Sequence, residues 1–139
     1  MPRKLALLCV LPLVLSNMLL CGSGANAQSS DWKKCVDIAK DNVERSHCGV
    51  AEINREEERL NEAWKKALAC FADPFMKGAK QKFLDEQRLW IKWKDASCTF
   101  YGEQEAFGRD GSVLDFPLCR ASVIIERAKF LETFAKDCR

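Results

Sequence analysis

Six cysteines lie between Gln28 and Arg139: Cys35, Cys48, Cys70, Cys98, Cys119 and Cys138. In so short a stretch they constrain the fold more than any other feature. An even number in a small exported chain reads as a disulfide framework, because a core of this size yields little surplus over chain entropy. A metal site is the competing use. It is disfavoured, since there is no CxxC pair and the lone His47 has no histidine partner at ligand spacing. No metal and no cofactor is expected.

Export is written into the start of the chain. A basic beginning with Arg3 and Lys4 precedes an apolar run, and Ala25, Asn26 and Ala27 form a small-x-small cleavage signature. Pro12, Ser16 and Asn17 interrupt the run, which argues against a membrane anchor. Residues 1–27 therefore read as a signal peptide and 28–139 as one domain, with the remaining cysteines, Cys9 and Cys21, leaving in the leader. Lipidation at Cys21 would call for a small residue just before it, and Leu19 and Leu20 stand there. The expected location is periplasmic or secreted, without stable membrane insertion.

The whole chain carries a formal net charge of +2. Removing Arg3 and Lys4 leaves equal numbers of basic and acidic side chains. Sequence-independent binding to nucleic acid needs a concentrated positive field, and this balance supplies none.

Past the leader, apolar residues recur at helical spacing and no alternating run suggests a strand. A short amphipathic segment over about 31–42 carries Trp32, Cys35, Val36 and Ile38. A long helix over about 50–71 carries Val50, Ile53, Leu60, Trp64, Ala67, Leu68 and Phe71. Within it, "REEER" mixes Glu56, Glu57 and Glu58 with Arg55 and Arg59, and reads as a solvated face. Asp73 and Pro74 start a second long helix that runs to about residue 100. Residues 101–112, with three glycines, read as a loop, and Asp115 and Pro117 as the cap and first turn of a third helix to about 136. The fold class is all-α: a small disulfide-stapled antiparallel three-helix domain with a short N-terminal helical appendage.

Six cysteines allow fifteen pairings. The up-down-up layout ranks them. Cys98 ends the second helix and Cys119 starts the third, so both sit at one end of the bundle. Cys70 and Cys138 end two helices that run the same way, so they meet at the other. Cys35 and Cys48 flank the N-terminal turn. The chain-entropy model gives each bridge roughly 3 to 4.5 kcal/mol.

"QRLWIKWKDASC", residues 87–98, sets tryptophans among lysines and could be a binding surface. At about 100° per residue, Trp90 aligns with Phe83, while Trp93, Ala79 and Phe75 lie to one side. The opposite face holds Arg88 and Lys92 but also Asp85 and Asp95. A stacking platform for single-stranded nucleic acid needs uncompensated charge beside exposed rings, so a core stripe is the better reading. Gln87 and Lys94 fall inside that arc. Gln87, if buried, needs a hydrogen-bond partner, and Lys94 is expected to lay its stem on the tryptophans with its amine in water.

These residues resemble the N-terminal domain of the LprI-type lysozyme inhibitors, a bacterial extracytoplasmic family. The resemblance rests on Leu60, Asn61 and Trp64, then on Gln87, Trp90, Lys94, Asp95 and Cys98, then on Gly111, Ser112, Cys119, Arg127 and Leu131. It spans nearly the whole chain after the leader. Trp64 stands where tyrosine is usual, Lys94 where arginine is common and Ile124 where threonine is frequent. The pair Cys70 and Cys138 looks peculiar to a subgroup. The resemblance implies an exported domain that binds a lysozyme and blocks its cleft, with the motif residues serving structure.

Other classes find less support. His47 beside Cys48 offers no hydrolytic triad, and oxidised cysteines leave no thiolate nucleophile, so no enzyme is expected. The helices carry mixed charge on their polar faces, unlike Lys/Arg-rich interfacial helices. A neutral chain would not be steered strongly to a cationic lysozyme, which keeps open an extracytoplasmic interaction module with a different partner.

Overall fold

The computed structural model describes residues 29–138, and every regular element among them is helical. A short helix α1 (Ser30–Ile38) leads into the long α2 (Asn42–Ala69). A single 3-10 turn at Pro74–Met76 opens α3 (Lys77–Ala96). A second 3-10 turn (Thr99–Gly102), a short α4 (Gln104–Asp110) and a π-helical turn (Gly111–Asp115) then connect to α5 (Phe116–Asp137). The signal-peptide and Cys21 readings fall on residues outside those described.

Helices α2 and α5 lie side by side and run in the same direction. Gly49, early in α2, faces Pro117 in the first turn of α5, and Cys70 at the end of α2 is bonded to Cys138 at the end of α5. α3 runs against both: Phe83 meets Phe134, Gln87 meets Arg127 and Ser97 meets Arg120. The cysteines pair as 35–48, 70–138 and 98–119, with Cα separations of 5.8, 5.9 and 5.9 Å. The architecture is thus the antiparallel three-helix domain with an N-terminal helical appendage that the pattern predicts.

Element boundaries differ most in two places, while α1 and α3 each end about one turn earlier than the pattern predicts, at Ile38 and Ala96. α2 begins at Asn42, about two turns before the periodic stripe starts at Val50. Its start is capped by Asp41, whose carboxylate accepts from the Val43 and Glu44 N–H groups at 2.9 Å, while Glu44 accepts from the Lys40 N–H at 2.7 Å. That reciprocal arrangement works like a capping box. Gly49 sits inside the helix. A Cβ there would stand 2.8 Å from two Pro117 carbons, so the bare backbone lets α2 and α5 close on each other.

The second difference is the stretch 101–112, which is folded rather than an open loop. α4 occupies most of it, broken only at Gly108, whose φ of 64° is costly for other residues. Asp115 makes no capping hydrogen bond, because the π-helical turn carries the chain into α5 without a free helix end.

The core lies between α2 and α5. Leu60, Ala63 and Ala67 meet Ile124, Ala128, Leu131 and Ala135, all buried. The alanines bring the two backbones close, and Ile124 and Leu131 fill the space between. α3 joins through rings: Trp64 stacks on Phe83 at 4.8 Å, and Phe71 and Phe134 complete the cluster around Phe83.

α3 buries only a narrow stripe. Phe83 and Trp90 are half-buried and Gln87 is buried, but Trp93 is 57% exposed and Phe75 fully exposed. The core-stripe reading holds for Trp90 and fails for Trp93. α2 and α5 already cover each other's apolar faces, so α3 finds a strip of partner surface too narrow for its whole apolar arc.

"REEER" is also corrected. Glu56 is buried, Glu57 pairs with Lys94 of α3, and Arg59 forks onto Glu132 of α5 with both contacts at 2.8 Å. Five residues turn through more than a full circuit of a helix. On a helix flanked by two neighbours, some of them must face inward.

Candidate interaction surface

The motif positions of α3 form three pins that hold it to the rest of the bundle. At the first, the buried Arg127 donates to Gln87 Oε1 from Nε at 3.0 Å and from Nη2 at 2.7 Å. It also forks onto Glu86, and its guanidinium lies over the rings of Trp90 and Phe130, 5.6 and 5.1 Å from their centroids. Gln87 thereby has the partner that its burial demands.

The second pin is Lys94, whose Nζ stands 2.5 Å from Glu57 Oε1 and 3.5 Å from Asp95 Oδ1. Its amine is therefore paired and largely covered rather than free in water. The third pin is Arg120. Its Nη2 donates to the backbone carbonyls of Asp95 and Ser97, both at 3.1 Å, and its Nη1 to the Asp95 carboxylate at 3.4 Å. These carbonyls end α3, so Arg120 satisfies orphan acceptors there and ties the helix end to α5.

The remaining motif residues scatter. Leu60 is in the core, Trp64 is in the aromatic cluster and Asn61 is exposed on α2. Gly111 is buried where a Cβ would stand 2.5 Å from Phe107 Cβ and from the Tyr101 carbonyl oxygen. Ser112 is exposed and donates to the Arg109 carbonyl at 3.0 Å. These positions make contacts within and between helices and bring no reacting groups together around a cleft. Glu57, Glu86 and Arg120, partners in these pins, escape sequence reasoning because the partner of a charge on another helix leaves no trace in local spacing.

Between α2 and α5, the Arg59 guanidinium bonded to Glu132 holds that carboxyl below its ordinary range, against the opposing effect of partial burial. The pair ties the two central helices at their outer edge.

The segment between Cys98 and Cys119 has a different character. Phe100, Tyr101 and Phe107 pack on one another with centroid separations of 4.4, 5.8 and 5.0 Å. Phe100 is 53% and Phe107 39% exposed. Beside them, Ser112, Val113 and Phe116 line a shallow groove of about 210 Å³ with Ser46, Val50 and Ile53 of α2. A signal was present in the sequence, three aromatics within a glycine-rich stretch. Reading that stretch as a loop hid it.

Catalytic chemistry gains no support from the geometry. All six cysteines of the described residues are disulfide-bonded, and His47 is exposed on α2. Among the described residues no group of three or more histidine, cysteine or acidic side chains is placed to hold a metal ion. No described helix is long and apolar enough to cross a membrane.

Comparison with known proteins gives one match. The model of the family described as "Lysozyme inhibitor LprI" matches residues 35–131, from the first cysteine of the domain to the last large residue of its core. No curated protein and no solved structure matches the chain.

Proposed function

This chain belongs to the LprI lysozyme inhibitor family, and from that premise we propose that it is an exported binding domain that occupies a lysozyme and blocks it. The observation that carries the reading is the family match across residues 35–131. The three disulfides support an extracytoplasmic home, since such bonds persist where the surroundings are oxidising. In this reading residues 1–27 are a cleaved leader, and the domain works in the periplasm or outside the cell. It acts by binding and not by catalysis, with the motif residues holding the scaffold rigid.

The test is direct. The oxidised domain from Gln28 to Arg139 is titrated against several lysozymes in a cell-wall turbidity assay. Lysis slows in proportion to added domain if the reading is right. Undiminished lysis across the panel, with no complex by size-exclusion chromatography, rejects it. The charge balance after the leader favours a second reading, an interaction module for another extracytoplasmic protein. That module would leave lysis untouched and retain a different partner.

A further inference from the structure

We propose that the disulfide-closed segment between Cys98 and Cys119 is the docking surface of the domain, taking a basic protein partner through an exposed aromatic cluster and the exposed carboxylates of the same segment. The proposal rests on the inhibitory reading, with a cationic lysozyme as the basic partner.

Charge comes first. The segment holds Glu103, Glu105, Asp110 and Asp115 against the single base Arg109. All four carboxylates are exposed, and none forms an ion pair among the described residues. Elsewhere the acids are offset by bases: Glu52, Glu56, Glu57, Glu86 and Glu132 each have an arginine or lysine within reach, and the unpaired Asp31, Asp37, Asp41 and Glu44 share their stretch with Lys33, Lys34, Lys40 and Arg45. A formally neutral domain thus carries a local charge of −3 between Cys98 and Cys119, four acids against one base. Such a local field steers a cationic partner where the net charge does not.

The rings come second. Phe100 and Phe107 stay exposed while packing on Tyr101, and no ring of this trio joins the cluster around Phe83. Exposed aromatics gathered at one place, with polar groups around them, have the composition of an interface centre.

Rigidity comes third. The segment is closed by the Cys98–Cys119 bond, and its base is pinned by Arg120 on the Asp95 and Ser97 carbonyls. Gly111 lets its backbone pack directly on Phe107. A preorganised surface loses little entropy on binding. A second exposed apolar face, Leu89 and Trp93 on α3, lacks this closure, and the charges nearby are mixed: Arg88 is paired with Asp85, and Lys92 lies beside them.

The experiment compares three variants of the oxidised domain. The first is Phe100→Ser with Phe107→Ser, the second Glu103→Gln with Glu105→Gln and Asp110→Asn, and the third Leu89→Ser with Trp93→Ser. Each is checked for three intact disulfides and wild-type helicity, then tested for binding to a cationic lysozyme by calorimetry and for inhibition by turbidity. The aromatic variant is expected to bind about tenfold or more weakly. The amide variant, whose exposed substitutions leave packing intact, is expected to bind more weakly at low salt and to lose most of its salt dependence. The α3 variant should match wild type. Full binding by the aromatic and amide variants, or loss confined to the α3 variant, overturns the docking surface while leaving the inhibitory reading in place. A wild-type domain that binds no lysozyme overturns both.

Discussion

Arg127 and Gln87 are bound twice over: one side-chain oxygen of the glutamine accepts from two nitrogens of the buried guanidinium, at 3.0 and 2.7 Å. The contact joins residues 40 apart in the chain and fixes α3 against α5. Replacing Arg127 by alanine strands Gln87 and removes the cover from Trp90 and Phe130. The expected loss is about 3 kcal/mol, toward the low end for broken buried pairs because Glu86 is solvated. Arg127→Lys recovers little of it, since an ammonium cannot reproduce the fork. Urea denaturation of both single variants and the Gln87 double variant measures the coupling, and a coupling near zero would reject the pin.

Leu131 is fully buried between α2 and α5. Leu131→Ala should lower stability by about 3 kcal/mol, the transfer of the lost carbons plus the cavity left behind. Leu89→Ala, on the exposed side of α3, should stay within about 0.5 kcal/mol of wild type. Equal effects at the two sites would contradict the placement of the core.

Gly111→Ala forces a methyl group against Phe107 Cβ and the Tyr101 carbonyl. Overpacking of this kind costs roughly 1 to 3 kcal/mol. The near-ultraviolet circular dichroism of the aromatic segment should change with it. Gly78 has open space around its would-be Cβ, so Gly78→Ala is expected to shift stability by no more than about 0.5 kcal/mol. Both are read from thermal melts of the oxidised proteins.

Acid should weaken the Arg59–Glu132 tie. The folded carboxyl is held below its ordinary pKa of 4.5 by the guanidinium hydrogen bonds, so its contribution is fully present above that value. It disappears as pH falls through the lower, folded pKa. Wild type should therefore exceed Glu132→Gln in stability near neutrality, with the gap closing as pH falls below the ordinary value of 4.5. A gap that is constant from neutral to acid pH would show that the pair contributes no pH-dependent stability.

Helix order and cysteine pairing are legible in the sequence because both follow from long-period patterns: apolar stripes, two proline starts and cysteines at helix ends. Three local matters are not. The outward turn of Trp93 is hidden because a helical wheel shows the width of an apolar arc, not the width of surface offered by a neighbour. The inward turn of Glu56 and Arg59 depends on which helices flank α2. The early start of α2 is signalled by Asp41 and Glu44, but the apolar stripe begins only at Val50, and the place of Gly49 inside the helix is explained by Pro117 on another one. Among the motif positions, sequence identifies residues that matter to the scaffold. Which surface the scaffold presents depends on how the chain between α3 and α5 folds.

The 98–119 bridge lies inside the 70–138 bridge, one ring of chain within another. Any single proteolytic cut between Cys70 and Cys138, including one through exposed residues 102–110, leaves the fragments covalently joined. A protease that nicks the most accessible backbone therefore releases nothing, and the cut halves stay in register on the intact α2–α5 pair. In oxidising surroundings, where these bonds persist, a nicked domain therefore remains one covalent body.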